Sequence, residues 1–183
     1  MVHRREGAPL TSLHGRTITA PGWTAVEVAR ALRRPRALAT LDAALRSGTC
    51  TPRDLVLAAK AQAGRRGIVV VRELLPLARP QSESPMESEA RLVMIDGGLP
   101  EPVLQYEIID RDGRCWRVDF AWPDRRLAVE YEGFDFHSSP DALRHDRQKR
   151  AALEELGWQI ISIVADDVRR RPVPMVRRIA DRL

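Results

Sequence analysis

The sequence predicts a mixed α/β fold, with a small basic helical module over residues 1–79 and an α/β domain over residues 80–183. Three observations carry that reading. Apolar residues recur at helical spacing through the first half and alternate at period two between residues 103 and 132, the periodicities that separate helix from strand. Pro80, within the polar run Ala78-Arg79-Pro80-Gln81-Ser82-Glu83-Ser84, marks a linker between the halves. Charge changes sign at the same place. Residues 1–80 hold 14 Lys and Arg against 5 Asp and Glu, a net of +9; residues 81–183 hold 16 against 20, a net of −4.

Taken in order, residues 1–22 read as irregular or strand-like. Trp23 to Leu32 has apolar residues at helical spacing and ends before Pro35; Ala37 to Arg46 repeats the pattern, with Gly48 as a stop. Thr51-Pro52 is a start signal, an N-cap hydroxyl followed by proline at the first helical position, for a helix to about Ala63. Gly64 and Gly67 separate it from a helix over Ile68 to Leu77. In the second half, Ser84 opens a helix that stops at Gly97-Gly98. Val103 to Asp110 and Cys115 to Trp122 form a hairpin around the turn Arg111-Asp112-Gly113-Arg114. Leu127 to Glu132 is a third strand, Asp141 to Leu156 a helix, Trp158 to Val164 a strand and Val173 to Leu183 a last helix. The order is α-β-β-β-α-β-α.

Composition limits the function classes. At 183 residues and 44% hydrophobic, the chain can bury one sizeable core or two small ones. No run approaches the roughly 18 apolar residues of a membrane helix. Residues 1–7 lead into no apolar stretch, so neither a signal peptide nor a membrane partner is expected, and a cytoplasmic protein is. Cys50 and Cys115 have no metal or redox spacing and read as reduced thiols. A basic half beside an acidic half suits nucleic-acid contact next to a cation site. A solvated arginine-rich surface explains the basic half equally well.

The chemistry concentrates on three acids. Asp119 lies in the second strand among Trp116, Val118 and Phe120, and alternation sets it on the face opposite those three. In the third strand Ala128, Glu130 and Glu132 share a face. Side by side, the strands bring Asp119, Glu130 and Glu132 into one small volume. Like charges that close repel unless a cation sits between them, and Mg²⁺ or Mn²⁺ with oxygen ligands is the usual solution.

These pieces, in order, resemble the Vsr-like (very-short-patch-repair-like) endonuclease domains of the PD-(D/E)XK superfamily. The matching segments are Ser84-Pro85-Met86-Glu87-Ser88, Gly98-Leu99-Pro100, Gln105, Arg117-Val118-Asp119, Val129-Glu130-Tyr131-Glu132-Gly133, His137, Asp146-Arg147 and Gly157-Trp158, within residues 84–167. The resemblance implies an αβββαβ nuclease core, Mg²⁺ (or Mn²⁺) at Asp119, Glu130 and Glu132, and active-site roles for Glu87 and His137. Residues 1–80 resemble the helical region that precedes this domain in AbiEi-like proteins, which often carry an N-terminal winged helix that this sequence does not show. One departure matters. The superfamily has Glu-x-Lys on its third strand, where this chain has Glu130-Tyr131-Glu132. The missing cation would come from Lys149, Arg147 or Arg150 on the following helix.

Each candidate has a plainer explanation. Asp119 and Glu130 read otherwise as surface acids with Arg117 as partner. Glu87 stands at the third helical position after Ser84, a capping box, and pairs at i,i+4 with Arg91. Glu89 reads as a solvated helix acid. His137 reads as a water-activating base or a loop residue packed on Phe134 or Phe136. His3, His14 and His145 read as surface residues. Arg144, Arg147, Lys149 and Arg150 are phosphate contacts or a solvated helix face. Trp116, Trp122 and Trp158 read as core. The expectation is a Mg²⁺-dependent endodeoxyribonuclease serving repair or defence, with DNA as substrate and a partner protein or second copy as companion. The alternatives are a non-catalytic DNA-binding regulatory or antitoxin-like protein on the same scaffold, and an RNA-directed nuclease or toxin.

Overall fold

The computed structural model describes residues 7–133 and 140–183. The chain divides into two compact units, one ending at Ser88 and one running from Glu89 to Leu183.

In the first unit the irregular N-terminal stretch resolves into a hairpin, β1 (Leu10–Leu13) and β2 (Arg16–Thr19), paired from Leu10↔Thr19 to Leu13↔Arg16. Its turn residues His14 and Gly15 have φ of 49° and 74°, the left-handed pair that matches strand twist across a two-residue loop. Four helices follow: α1 (Pro21–Ala29), α2 (Arg34–Arg46), α3 (Pro52–Ala61) and α4 (Ile68–Leu74). α2 starts before the expected Ala37 because Pro35 fits in a first helical turn, where its missing N–H has no partner to lose. Thr51 caps α3 as the sequence implies: its hydroxyl accepts the Asp54 N–H at 3.2 Å, and the Asp54 carboxylate accepts the Thr51 N–H at 2.8 Å. Small buried residues (Ala25, Ala29, Ala37, Ala58, Ala59) let the helices approach around Val26, Leu38, Leu41, Leu55 and Leu74. Two buried polar side chains tie the unit internally. Asp42 accepts the Arg79 N–H at 2.8 Å, and the Gln62 amide donates to the Trp23 carbonyl at 3.1 Å.

α5 (Pro85–Asp96) begins at the end of the first unit and continues into the second. The second unit is built on a four-stranded sheet of order β3-β4-β5-β6: β3 (Val103–Ile109), β4 (Cys115–Trp122), β5 (Leu127–Tyr131) and β6 (Gln159–Ile163). β3, β4 and β5 are antiparallel neighbours; β6 runs parallel to β5, joined through α6 (Pro140–Glu155). α7 (Ala165–Arg169), which the sequence reading did not resolve, and α8 (Pro172–Ala180) complete it. In β5, Leu127, Ala128 and Val129 are all fully buried, the run expected of a strand covered on both faces. One core cluster joins Ile108, Trp116, Val118, Ala121, Ala128 and Trp158 to Leu153 of α6. Trp116, Trp122 and Trp158 are buried, as expected. Glu130 thus comes at the end of a buried strand, just where apolar packing stops.

Candidate acidic site between the second and third strands of the sheet

The β4–β5 ladder ends at Phe120↔Val129. Beyond it the Tyr131 N–H donates to the Asp119 side chain, at Oδ2, at 2.8 Å. The Asp119 carboxylate thereby fills the gap where the strands part and is held beside Glu130. On the other side of β4, Leu104↔Phe120 and Tyr106↔Val118 are opposed, but Gln105 and Asp119 between them form no rung. Gln105 has φ of 49°, and its amide donates to Asp119 Oδ1 at 3.4 Å. The register is the same on both sides of the missing rung. Tyr106 and Val118 pack on the α6 side, whereas beyond the break that cluster takes Ala121. Extending the pairing of Ala121↔Ala128 and Phe120↔Val129 by one residue sets Asp119 across from Glu130, so the two acids share a face.

α6 supplies the cation. Lys149 Nζ donates to Glu130 Oε1 and, at 2.6 Å, to the Arg117 carbonyl. The Lys149 and Glu130 side chains are only 18% and 25% exposed, so the pair is better shielded than a surface ion pair. Burial pushes the Glu130 carboxyl above the ordinary carboxylate range. The Lys149 charge and hydrogen bond oppose that rise, while the charges of Asp119 and Asp146 add to it. The site is a pair of adjacent carboxylates with one lysine against them.

The remaining expected residues are distributed as follows. Glu132 is exposed just past β5, its N–H donating to the Ile163 carbonyl at 2.8 Å. Among the described residues no group of three or more His, Cys, Asp or Glu side chains could hold a metal ion, so a divalent cation would rest on Asp119 and Glu130 as protein ligands. Two carboxylates completed by phosphate oxygens and water are an ordinary donor set for Mg²⁺, and these residues fit it. Glu87 caps its helix: Ser84 Oγ accepts its N–H at 3.1 Å, and its carboxylate accepts the Glu83 N–H at 2.8 Å. His137, with Phe134 and Phe136, lies outside the described residues. Arg144, Arg147 and Arg150 are exposed at i, i+3 and i+6 of α6, with Arg144 3.5 Å from Asp141. Glu89 corrects its expectation. It is a buried acid, not a solvated one, 6% exposed and gripped by Arg169 through two bonds of 2.9 and 2.8 Å. His14 and His145 are exposed; His145 packs against Trp116 with ring centroids 5.2 Å apart and planes tilted by 54°.

Sequence reasoning missed the left-handed Gln105, the Glu89–Arg169 fork and the Tyr131 N–H. Gln is not a residue type that signals positive φ, and the other two depend on tertiary packing.

Residues 1–77 match the family model described as the AbiEi antitoxin C-terminal domain. The full 183 residues are 60% identical to two proteins of Mycobacterium tuberculosis, "Uncharacterized protein MT2308" (strain CDC 1551) and "Uncharacterized protein Rv2248" (strain H37Rv). Each alignment spans 100% of this chain and 68% of the relative. No solved structure matches the chain.

Proposed function

We propose that this chain, which belongs to the same family as the uncharacterized Mycobacterium tuberculosis proteins MT2308 and Rv2248, is a metal-dependent endonuclease hydrolysing phosphodiester bonds in DNA. The proposed domain is a Vsr-like member of the PD-(D/E)XK superfamily following an AbiEi-like region. The observation that carries the proposal is the lysine of α6 against a carboxylate pair. Lys149 supplies to Glu130 the cation that Glu130-Tyr131-Glu132 lacks on its own strand.

In this reading Asp119 and Glu130 hold Mg²⁺ or Mn²⁺. When bound, the ion supplies Lewis-acid polarisation of the phosphate and a more acidic bound water. Asp119 is pre-oriented by the Tyr131 N–H, so its carboxylate needs no reorganisation. Lys149 has three donors. Two go to Glu130 and the Arg117 carbonyl, and the third is available to a phosphate oxygen as charge grows on it. Exposed Arg147 and Arg150 lie on the same helix as backbone contacts.

Calorimetry with Mn²⁺ and nicking of supercoiled plasmid test the reading. Wild-type protein should bind the ion and nick, and Asp119→Asn should lose both. Lys149→Met should still bind Mn²⁺ but nick ~10²–10³-fold more slowly, the usual cost of removing one transition-state donor. Ion binding unchanged by Asp119→Asn would remove the metal site.

A second reading is a non-catalytic DNA-binding or antitoxin-like protein. The match of residues 1–77 to an antitoxin domain favours it, and so does the Lys149–Glu130 pair, which neutralises an acid without any metal. RNA in place of DNA is distinguished by offering both substrates in the same assay.

A further inference from the structure

We propose that Gln105 is a positioning residue for Asp119, and that its left-handed backbone exists to deliver its side-chain amide to that carboxylate. This rests on the endonuclease reading for its functional half and on geometry alone for its structural half. A non-glycine residue with φ of 49° inside a strand is sterically disfavoured, and among non-glycine residues it is Asn, Asp and His, not Gln, that are enriched in this region. Such outliers persist where the surroundings over-determine them, and they point to function when they cluster at a site. His14 and Arg126, the other described non-glycine residues with positive φ, stand at a two-residue turn and at the end of a 3₁₀ turn. Gln105 stands mid-strand, with registered rungs on both sides of it.

The consequences of the outlier converge on Asp119. The 105–119 rung is missing, and Gln105 Nε2 lies 3.4 Å from Asp119 Oδ1 while the Tyr131 N–H holds Oδ2. Each carboxylate oxygen thus has its own donor, one from either neighbouring strand. A carboxylate held at both oxygens is restrained about its terminal torsion. Support of this kind around a metal-binding carboxylate is typically worth ~10–100-fold in ion affinity or activity.

The test uses the full chain in two arms. In the first, the Gln105 side-chain amide protons are followed by ¹⁵N–¹H correlation spectra, assigned by their loss in Gln105→Met. One proton should sit downfield of solvated glutamines and return to the solvated position in Asp119→Ala. Asp119→Asn, which keeps the shape, should give a smaller displacement. An amide signal that Asp119→Ala does not move overturns the contact, whatever the protein's activity. In the second arm, Gln105→Met and Gln105→Gly are compared in Mn²⁺ affinity and plasmid nicking. Glycine accepts the backbone conformation, so Gln105→Gly should melt no lower than Gln105→Met. Both should bind Mn²⁺ and nick ~10–100-fold less well, and Gln105→Asn, which tolerates positive φ and keeps an amide, should recover part of the loss. Full nicking by Gln105→Gly overturns the positioning role. No nicking by wild-type protein, with the amide shift intact, overturns the endonuclease reading but leaves the structural half standing.

Discussion

At the scale of the residue, Glu130 and Lys149 make opposite predictions from one contact. The folded protein holds the Glu130 proton to a higher pH than the unfolded chain does, chiefly because burial disfavours its charge. Between the ordinary carboxylate range and that raised value the folded state binds more protons. Stability therefore falls as pH climbs through the window. A protonated glutamate and a glutamine are near-isosteric neutral acceptors, so wild type and Glu130→Gln should melt at similar temperatures near pH 4. The difference should turn in favour of Glu130→Gln as pH rises to 7. A gap constant with pH would mean the carboxyl is not raised. Lys149→Met removes the charge that opposes the rise and leaves Glu130 without its cation. It should cost about 1–2 kcal/mol at pH 7, below the value for a fully buried pair because both side chains keep some solvent. The loss should shrink toward pH 4, where Glu130 is neutral. Denaturant midpoints at the two pH values check this.

At the scale of the element, the sequence showed periodicity well and irregularity poorly. The helices around Val26, Leu41 and Leu55 were legible from spacing, the α3 cap from Thr51-Pro52, and β3 to β6 from alternation and turn chemistry, because each signal is local. The first hairpin was not legible as a pair, since neither strand has a buried face to pattern it; Leu10 and Leu13 are 66% and 53% exposed. The α6 contact was half legible. A basic helix after an acidic strand suggested a migrated lysine, but only packing chose Lys149, three and four residues before Ala152 and Leu153 of the core face, over exposed Arg147 and Arg150. The left-handed backbone at Gln105 lay beyond any pattern rule, because glutamine is not a residue type that signals positive φ. Close approach of helices was likewise hidden in a glycine read only as a separator. Gly67 has φ of 83°, and a Cβ there would stand 2.0 Å from the Arg30 carbonyl oxygen. Gly67→Ala should therefore destabilise by at least about 2 kcal/mol, from left-handed strain plus a backbone clash that no side-chain rotation relieves. Gly64→Ala, also at positive φ but with open space around the added carbon, should pay the strain alone. Equal melting temperatures for the two variants would refute the close approach.

At the scale of the whole molecule, the charge asymmetry is the feature left to explain. Residues 1–80 carry a net +9 on a helical unit resembling an antitoxin domain, while the acidic site belongs to a sequence half of net −4. If the acidic site receives a nucleic acid, as proposed, it needs positive charge from elsewhere in the chain, and the basic half carries the net excess. If that half contacts the nucleic acid, the contact is counterion release, sequence-independent and steep in salt. Each neutralised phosphate adds a slope of ~−0.9 to log K against log salt on duplex DNA. Arg33, Arg53 and Arg66 are exposed on this unit, on or beside α2, α3 and α4. Replacing all three with glutamine removes charge without removing a buried side chain, so melting temperature should hardly move. Binding to a labelled duplex should weaken, and the slope should flatten by ~0.9 for each arginine that meets a phosphate. The loss should be the same for unrelated duplex sequences, because phosphate contacts position without reading bases. An unchanged slope with unchanged affinity would assign these arginines to solvent and turn the basic unit toward a protein partner. The triple variant also separates binding from chemistry. It should raise the DNA concentration needed for half-maximal nicking, while saturating nicking stays near the wild-type rate, since the Asp119, Glu130 and Lys149 constellation is untouched.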